Sequence, residues 1–174
     1  IINMHIALNY NYTILTLMHK IILFTLFILL SKNLYAENVK PEMIKPDPSI
    51  DPKDVILIQL KALQTNNLPF EDAGIEQTWE FAHPNNRMYT GPLDNFIRMI
   101  KNPSYAMMID HLDHNIIPVQ EQENSSYYFV ELTDSNGKKF GFEWTVEKVE
   151  QSGEFKDCWM TVGVSRPMPL SQAS

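Results

Sequence analysis

The segment Asp110-His111-Leu112-Asp113-His114 places two imidazoles and two carboxylates within five positions, a donor set that suits zinc and similar ions. The same residues suit acid–base work, with His111 and Asp113 exchanging a proton with a bound molecule. The spacing weighs against a metal. In a strand, positions 111 and 114 point to opposite faces, and only a turn brings His111, Asp113 and His114 together. Two histidines and one carboxylate make an incomplete ligand set, so neither a metal nor any other cofactor is expected. The plainer role for this run is a polar strand end followed by a turn.

A second polar cluster is His83-Pro84-Asn85-Asn86-Arg87. As scaffold, Pro84 ends a helix at His83, Arg87 donates to backbone carbonyls, and the asparagines satisfy free backbone groups. As a site, His83, Asn86 and Arg87 stand at a pocket rim and bind an anionic or polar ligand. Tyr105, Trp144 and Trp159 are expected in the core, with the option of lining a hydrophobic cavity. Cys158 is the one cysteine, so no intrachain disulfide forms, and its apolar neighbours predict an inert buried thiol. The chain has no glycine-rich phosphate loop, nucleophile elbow, paired cysteines or basic stripe. Nucleotide binding, serine hydrolysis and zinc ribbons therefore lack support.

The elements that must position these residues can be read from periodicity. Asp51 and Pro52 open a first helix whose apolar residues Val55, Ile56, Ile58, Leu60, Ala62 and Leu63 recur at helical spacing. Asn66, Asn67 and Pro69 end it. A second helix is predicted from near Asp72 through Ile75 and Trp79 to Ala82. A third opens at Gly91-Pro92 and buries Leu93, Phe96, Ile97 and Ile100, with Asn102-Pro103 as its stop. Beyond Pro103 the period becomes two. Strands are predicted at Tyr105–Ile109, at Ile116–Gln120 as an edge or bulged strand because of Pro118, and at Tyr127–Leu132. Phe140, Phe142, Trp144 and Val146 alternate with polar positions, and Cys158, Met160, Val162 and Val164 repeat the pattern. Asp134-Ser135-Asn136-Gly137 and Gln151-Ser152-Gly153-Glu154 supply turns. Helices first and hairpin-linked strands after them predict an α+β domain, with an antiparallel sheet packed on about three helices.

The N-terminal part predicts the compartment. Met18, His19 and Lys20 precede an apolar run from Ile21 to Leu30, and Ala36 offers a small residue for cleavage before Glu37. That is the form of a secretory signal peptide, with Met18 as the expected start and residues 1–17 as upstream translation. An uncleaved anchor is the alternative, but the run is shorter than the roughly 20 apolar residues of a span. Residues 37–50, with three prolines, read as an extended lead-in to a domain over 51–167, followed by a tail over 168–174. Loss of residues 1–36 leaves 138 residues with a net charge of −9. An acidic surface repels phosphate backbones and anionic lipid heads, so no nucleic acid and no membrane partner is expected after cleavage.

Several blocks are more specific: Gln59 with Ala62-Leu63, then Phe81-Ala82-His83-Pro84-Asn85-Asn86-Arg87, Thr90-Gly91-Pro92, Phe96 and Met99, and Trp159-Met160-Thr161-Val162-Gly163-Val164. Together they resemble a bacterial and plant family known as a domain of unknown function, across about Pro52 to Val164. That family in turn resembles the nuclear transport factor 2-like superfamily in its order of elements. The resemblance implies a strongly curved antiparallel sheet wrapped around helices into a cone with an open pocket. It implies no activity, because that fold hosts isomerases, dehydratases, transport factors and binding modules alike. The expected function is exported, non-catalytic binding of a small molecule or a protein. The alternatives are a lyase or isomerase using His111 and Asp113 inside the cone, and a module that forms a homodimer through the outer sheet face.

Overall fold

The computed structural model describes residues 18–25 and 42–171. The chain divides into two compact units, residues 1–41 and 42–174. In the first, residues 18–25 are helical and include the start of the apolar run. The rest of that run, the expected cleavage site and residues 1–17 lie outside the described residues. Among the described residues no helix is long and apolar enough to cross a membrane.

The second unit is α+β, with four α-helices, one 3₁₀ turn and a five-stranded antiparallel sheet. Helix α1, Pro52–Gln64, starts on a proline whose missing N–H costs nothing in the first turn, and the Asp51 side chain makes no capping bond. Val55, Ile56, Leu60 and Leu63 on α1 are completely buried, as a wide apolar face requires. Helix α2, Ala73–Glu80, lies close against it at Gly74, where an added Cβ would stand 2.1 Å from the Ala62 carbonyl oxygen. Asn66 closes the link between the two: its Oδ1 accepts from the Ile75 N–H and its carbonyl from the Gly74 N–H.

Three expectations about the helices need correction. Helix α2 stops before Ala82, because residues 81–83 pair their backbone with a strand. The Thr161 N–H donates to the Phe81 carbonyl at 2.8 Å and the His83 N–H to the Thr161 carbonyl at 2.9 Å. A further helix, α3, follows at Pro84–Thr90. The His-Pro pair that bars helical geometry at His83 makes His83 a cap and Pro84 a first residue, so a stop signal also serves as a start. Helix α4, Leu93–Ile100, is capped by Pro92, while Gly91 (φ 78°) ends α3. The segment Tyr105–Ile109 is not a strand. Residues Ala106–Met108 form a 3₁₀ turn, with their amides spent on local carbonyls, among them Met108 N–H to Tyr105 and Ile109 N–H to Ala106.

The strands are β1 (Asp113–Glu121), β2 (Ser125–Thr133), β3 (Lys139–Lys148), β4 (Trp159–Val164) and β5 (Met168–Pro169). The order is β1-β2-β3-β4, with β5 paired to the start of β3. Strand β1 is an edge with a register shift between Pro118 and Gln120, the behaviour its proline predicts. In β3, Phe142, Trp144 and Val146 are buried in one core cluster with residues of α1, α2 and the 3₁₀ turn. The clean alternation expected in β4 does not hold. A register shift opposite Thr145 and Val146 turns Thr161 inward, while Cys158 and Met160 join Val149 in a separate small cluster beside Phe155. The lead-in is tied to this unit, because Ile44 and the Gln77 amide exchange two hydrogen bonds of 2.8 Å.

Candidate functional site

Between the helices and the sheet lies a cavity of about 220 Å³. Leu63 of α1, Phe96, Met99 and Ile100 of α4, Met108 of the 3₁₀ turn and Trp144 of β3 supply most of its apolar wall. Asn86, Tyr89 and Thr90 of α3 stand at one side, and Tyr89 is almost fully exposed, so α3 forms the mouth. Among the described residues no carboxylate, imidazole, amine, guanidinium or thiol lines this space; Tyr89 and Tyr105 carry its ionisable groups.

Its polar floor is a closed chain of hydrogen bonds. The Trp144 indole N–H donates to the Thr161 hydroxyl at 3.1 Å, and that hydroxyl donates to Gln59 Oε1 at 2.6 Å. Gln59 Nε2 donates to the Thr78 carbonyl at 2.9 Å, and the Thr78 hydroxyl donates to the Gly74 carbonyl at 2.8 Å. Gln59, Thr78, Thr161 and Trp144 are all buried. Burying polar groups is tolerable only when each finds a partner, and these four find one another.

The sequence candidates fall in three places. Tyr105, Trp144 and Asn86 line the cavity. Asn86 Nδ2 donates to the Thr161 carbonyl at 3.2 Å, tying the mouth to β4. Arg87 does not line it. Its guanidinium donates to the carbonyls of Trp79, Glu80 and Ala82 at 2.8–3.1 Å and lies 3.8 Å from the centre of the Trp79 ring. Arg87 is therefore the clasp between the end of α2 and the start of α3. Trp159 is also away from the cavity, with Lys148 Nζ 5.1 Å from its ring centre.

His111, Asp113 and His114 form the third place. Asp110, at φ 51°, turns the chain before β1, so the two histidines converge. His111 Nε2 stands 2.8 Å from His114 Nδ1, and His111 Nδ1 stands 2.8 Å from the Met108 carbonyl. A carbonyl only accepts, so His111 carries its proton on Nδ1 and takes the His114 N–H on Nε2. Burial pulls both pKa values below the usual histidine range. Neither His111 nor Asp113 lines the cavity, and Asp113 is exposed. Among the described residues no group of three or more His, Cys, Asp or Glu is placed to hold a metal ion.

His83 is 4 % exposed and lies outside the cavity, in a polar recess with Asn85, Ser125, Glu147 and Lys148. Its Nδ1 accepts from the Asn85 N–H at 3.1 Å, and burial lowers its pKa against the opposing pull of Glu147. Cys158 is buried in the small cluster, with its pKa raised by that burial.

The family model described as Domain of unknown function (DUF4864) matches residues 47–161. The chain belongs to this family. The DUF4864 match spans α1 to α4, β1 to β3 and the start of β4 through Thr161, so it takes in both ends of the Gln59–Thr161 bond. No curated protein and no solved structure matches the chain.

The floor residues Gln59, Thr78 and Thr161 were not among the site candidates. The sequence carried a signal for one side of the Gln59–Thr161 bond, a glutamine inside the apolar face of α1; Thr161 falls on the polar side of the alternation expected in β4, so nothing in that pattern marks it as inward.

Proposed function

We propose that this chain is an exported binding protein whose cavity takes a small, uncharged, largely apolar molecule without transforming it. The carrying observation is the lining: an apolar wall over a polar floor whose side chains are hydrogen-bonded to one another and carry no charge. A charged ligand entering there would lose its hydration and meet no counter-charge. The size fits one aromatic ring or a short branched chain, since engineered apolar cavities of ~150 Å³ take up benzene. Secretion or a periplasmic location rests on the leader-like segment from Met18 to Ala36. A nuclear transport factor 2-like cone is the architecture we favour, supported by helices that precede an antiparallel sheet and by a cavity between them.

Thermal unfolding of residues 37–174 with benzene, toluene or indole, and with benzoate as the charged counterpart, tests the binding. A saturable rise in midpoint is expected for the uncharged compounds and none for benzoate. Val164→Phe, which adds bulk to the cavity wall beside Trp144, is expected to abolish the rise while the circular dichroism spectrum stays that of the parent. Stabilisation by benzoate, or by none of the uncharged set, would sink the proposal.

A further inference from the structure

The polar recess around His83 shares no residue with the apolar cavity. It measures about 260 Å³ and draws on three parts of the fold: His83 and Asn85 at the start of α3, Asn124 and Ser125 at the β1–β2 turn, and Glu147, Lys148, Glu150 and Gln151 at the end of β3. His83 is the informative member. Its Nδ1 is committed to the Asn85 N–H, so the neutral ring must carry its proton on Nε2. Among the described residues that Nε2–H has no partner. It is not sealed in either: the described buried side-chain nitrogen or oxygen without a partner is Trp79 Nε1, so His83 Nε2 keeps access to open space, and the recess is the space the residue lines. A ring that is 4 % exposed thus offers one unspent donor to the recess.

The neighbouring groups define what would accept that donor. Glu147 and Glu150 only accept, and Asn124 Nδ2 already donates to Glu150 at 3.2 Å. The Ser125 hydroxyl donates to Gln122 Oε1 at 2.9 Å, which leaves its lone pairs free. Lys148 only donates. A metal ion does not fit His83, because ligation at Nε2 with Nδ1 already accepting would require an imidazolate. A carboxylate or phosphate would accept from His83 and from Lys148 but would face two glutamates, an excess of negative charge. A simple ammonium would satisfy the glutamates but leave His83 unpaired. A hydroxyl does both at once, accepting from one neighbour while donating to the next.

We propose that this recess is a second binding site, for a neutral polyhydroxylated molecule such as a sugar or a cyclic polyol. Recognition runs through His83 Nε2–H donating to one hydroxyl oxygen and Glu147 accepting from an adjacent hydroxyl.

The test is nitrogen–proton correlation spectroscopy of residues 37–174, observing the His83 ring in the parent and, in parent and variants alike, the backbone amides of Ser125, Glu147 and Lys148. The titrants are glucose, galactose, N-acetylglucosamine, myo-inositol and glycerol, with acetate, methylammonium and glycine as the charged set. At least one polyhydroxylated compound is expected to shift the ring resonances saturably, in the millimolar range or tighter. His83→Asn keeps a side-chain oxygen to accept from the Asn85 N–H and deletes the Nε2 donor. It is expected to weaken binding at least about tenfold with the thermal midpoint unchanged, and Glu147→Gln to do likewise. Val164→Phe, which plugs the apolar cavity, is expected to leave polyol binding intact, so failure of one site is distinguishable from failure of the other. The proposal is overturned if no polyhydroxylated compound binds, if binding survives both substitutions, or if the charged set binds in their place.

Discussion

The cavity floor and the His111–His114 pair are built from the same kind of material, buried or half-buried polar side chains joined by hydrogen bonds under 3.2 Å, yet they differ in what they leave free. On the floor, indole, hydroxyl and amide have fixed protonation, so the chain from Trp144 through Thr161 to Gln59 has one arrangement and holds α1 to β3 and β4. In the histidine pair each ring can gain a proton, and the bond between them depends on which does. The first network fixes the shape of a site; the second makes part of the fold responsive to pH. The difference is one of residue type, not burial, since His111 is as buried as Trp144, at 2 % exposure each.

The comparison breaks most visibly at Trp144. Trp144→Ala removes both the largest buried side chain of the wall and the donor that starts the floor network. A loss of about 3–5 kcal/mol is expected in urea or thermal unfolding, as for other deeply buried large-to-small changes. Thr161→Val is the sharper probe, because it keeps the shape and deletes only the hydroxyl. The Trp144 N–H and Gln59 Oε1 then lose their shared partner, with an expected cost of about 1–3 kcal/mol. A value near zero would mean that the floor is not the closed network described.

Arg87 offers an intermediate case outside both networks. Three carbonyls and the Trp79 face occupy one planar guanidinium, a geometry that an ammonium cannot reproduce. Arg87→Lys is expected to cost about 1–2 kcal/mol and to loosen the junction of α2 and α3, read as faster amide exchange at position 87 and at Gly91.

These residues show what was legible in the sequence. The α+β order, α1 with its proline start, the β3 alternation and the edge character of β1 followed from local patterns, and so did the donation of Arg87 to carbonyls. What was not legible depends on long-range pairing. Helix α3 was hidden because Pro84 signals both a helix end and a helix start, and only the pairing of Phe81 and His83 with Thr161 decides between them. Tyr105–Ile109 has strand-like composition but no neighbouring strand, so it closes on itself as a 3₁₀ turn. The inward turn of Thr161 comes from a register shift between β3 and β4, which no single-strand pattern carries. The convergence of His111 and His114 depends on the left-handed backbone at Asp110, a conformation that aspartate tolerates but does not announce.

The smallest expected effect concerns pH, and it separates the two networks directly. The groups facing the pair are Asp110 and Asp113, which favour its protonation, and Lys61, which opposes it at His114, but burial dominates and lowers both pKa values. His83 shifts in the same direction, again through burial. Below the ordinary histidine value of 6.5 the unfolded chain therefore binds more protons than the folded one. The stability contributed by keeping these rings neutral is fully present above 6.5 and is lost as pH falls through the lowered folded values. The loss starts gently, because a first proton at His114 Nε2 leaves the His114 Nδ1–H bond to His111 intact. A second proton sets two N–H groups against each other across 2.8 Å and opens the contact beside Met108, a wall residue of the cavity. The urea midpoint is thus expected to fall between about pH 7 and pH 5. The double substitution His111→Gln, His114→Gln should flatten most of that slope, and Thr161→Val should lower the whole curve without changing its shape. A parent profile that is level over this range, or a slope that survives the double substitution and His83→Asn together, would show that the histidines are not the responsive element and that the two networks do not differ in kind.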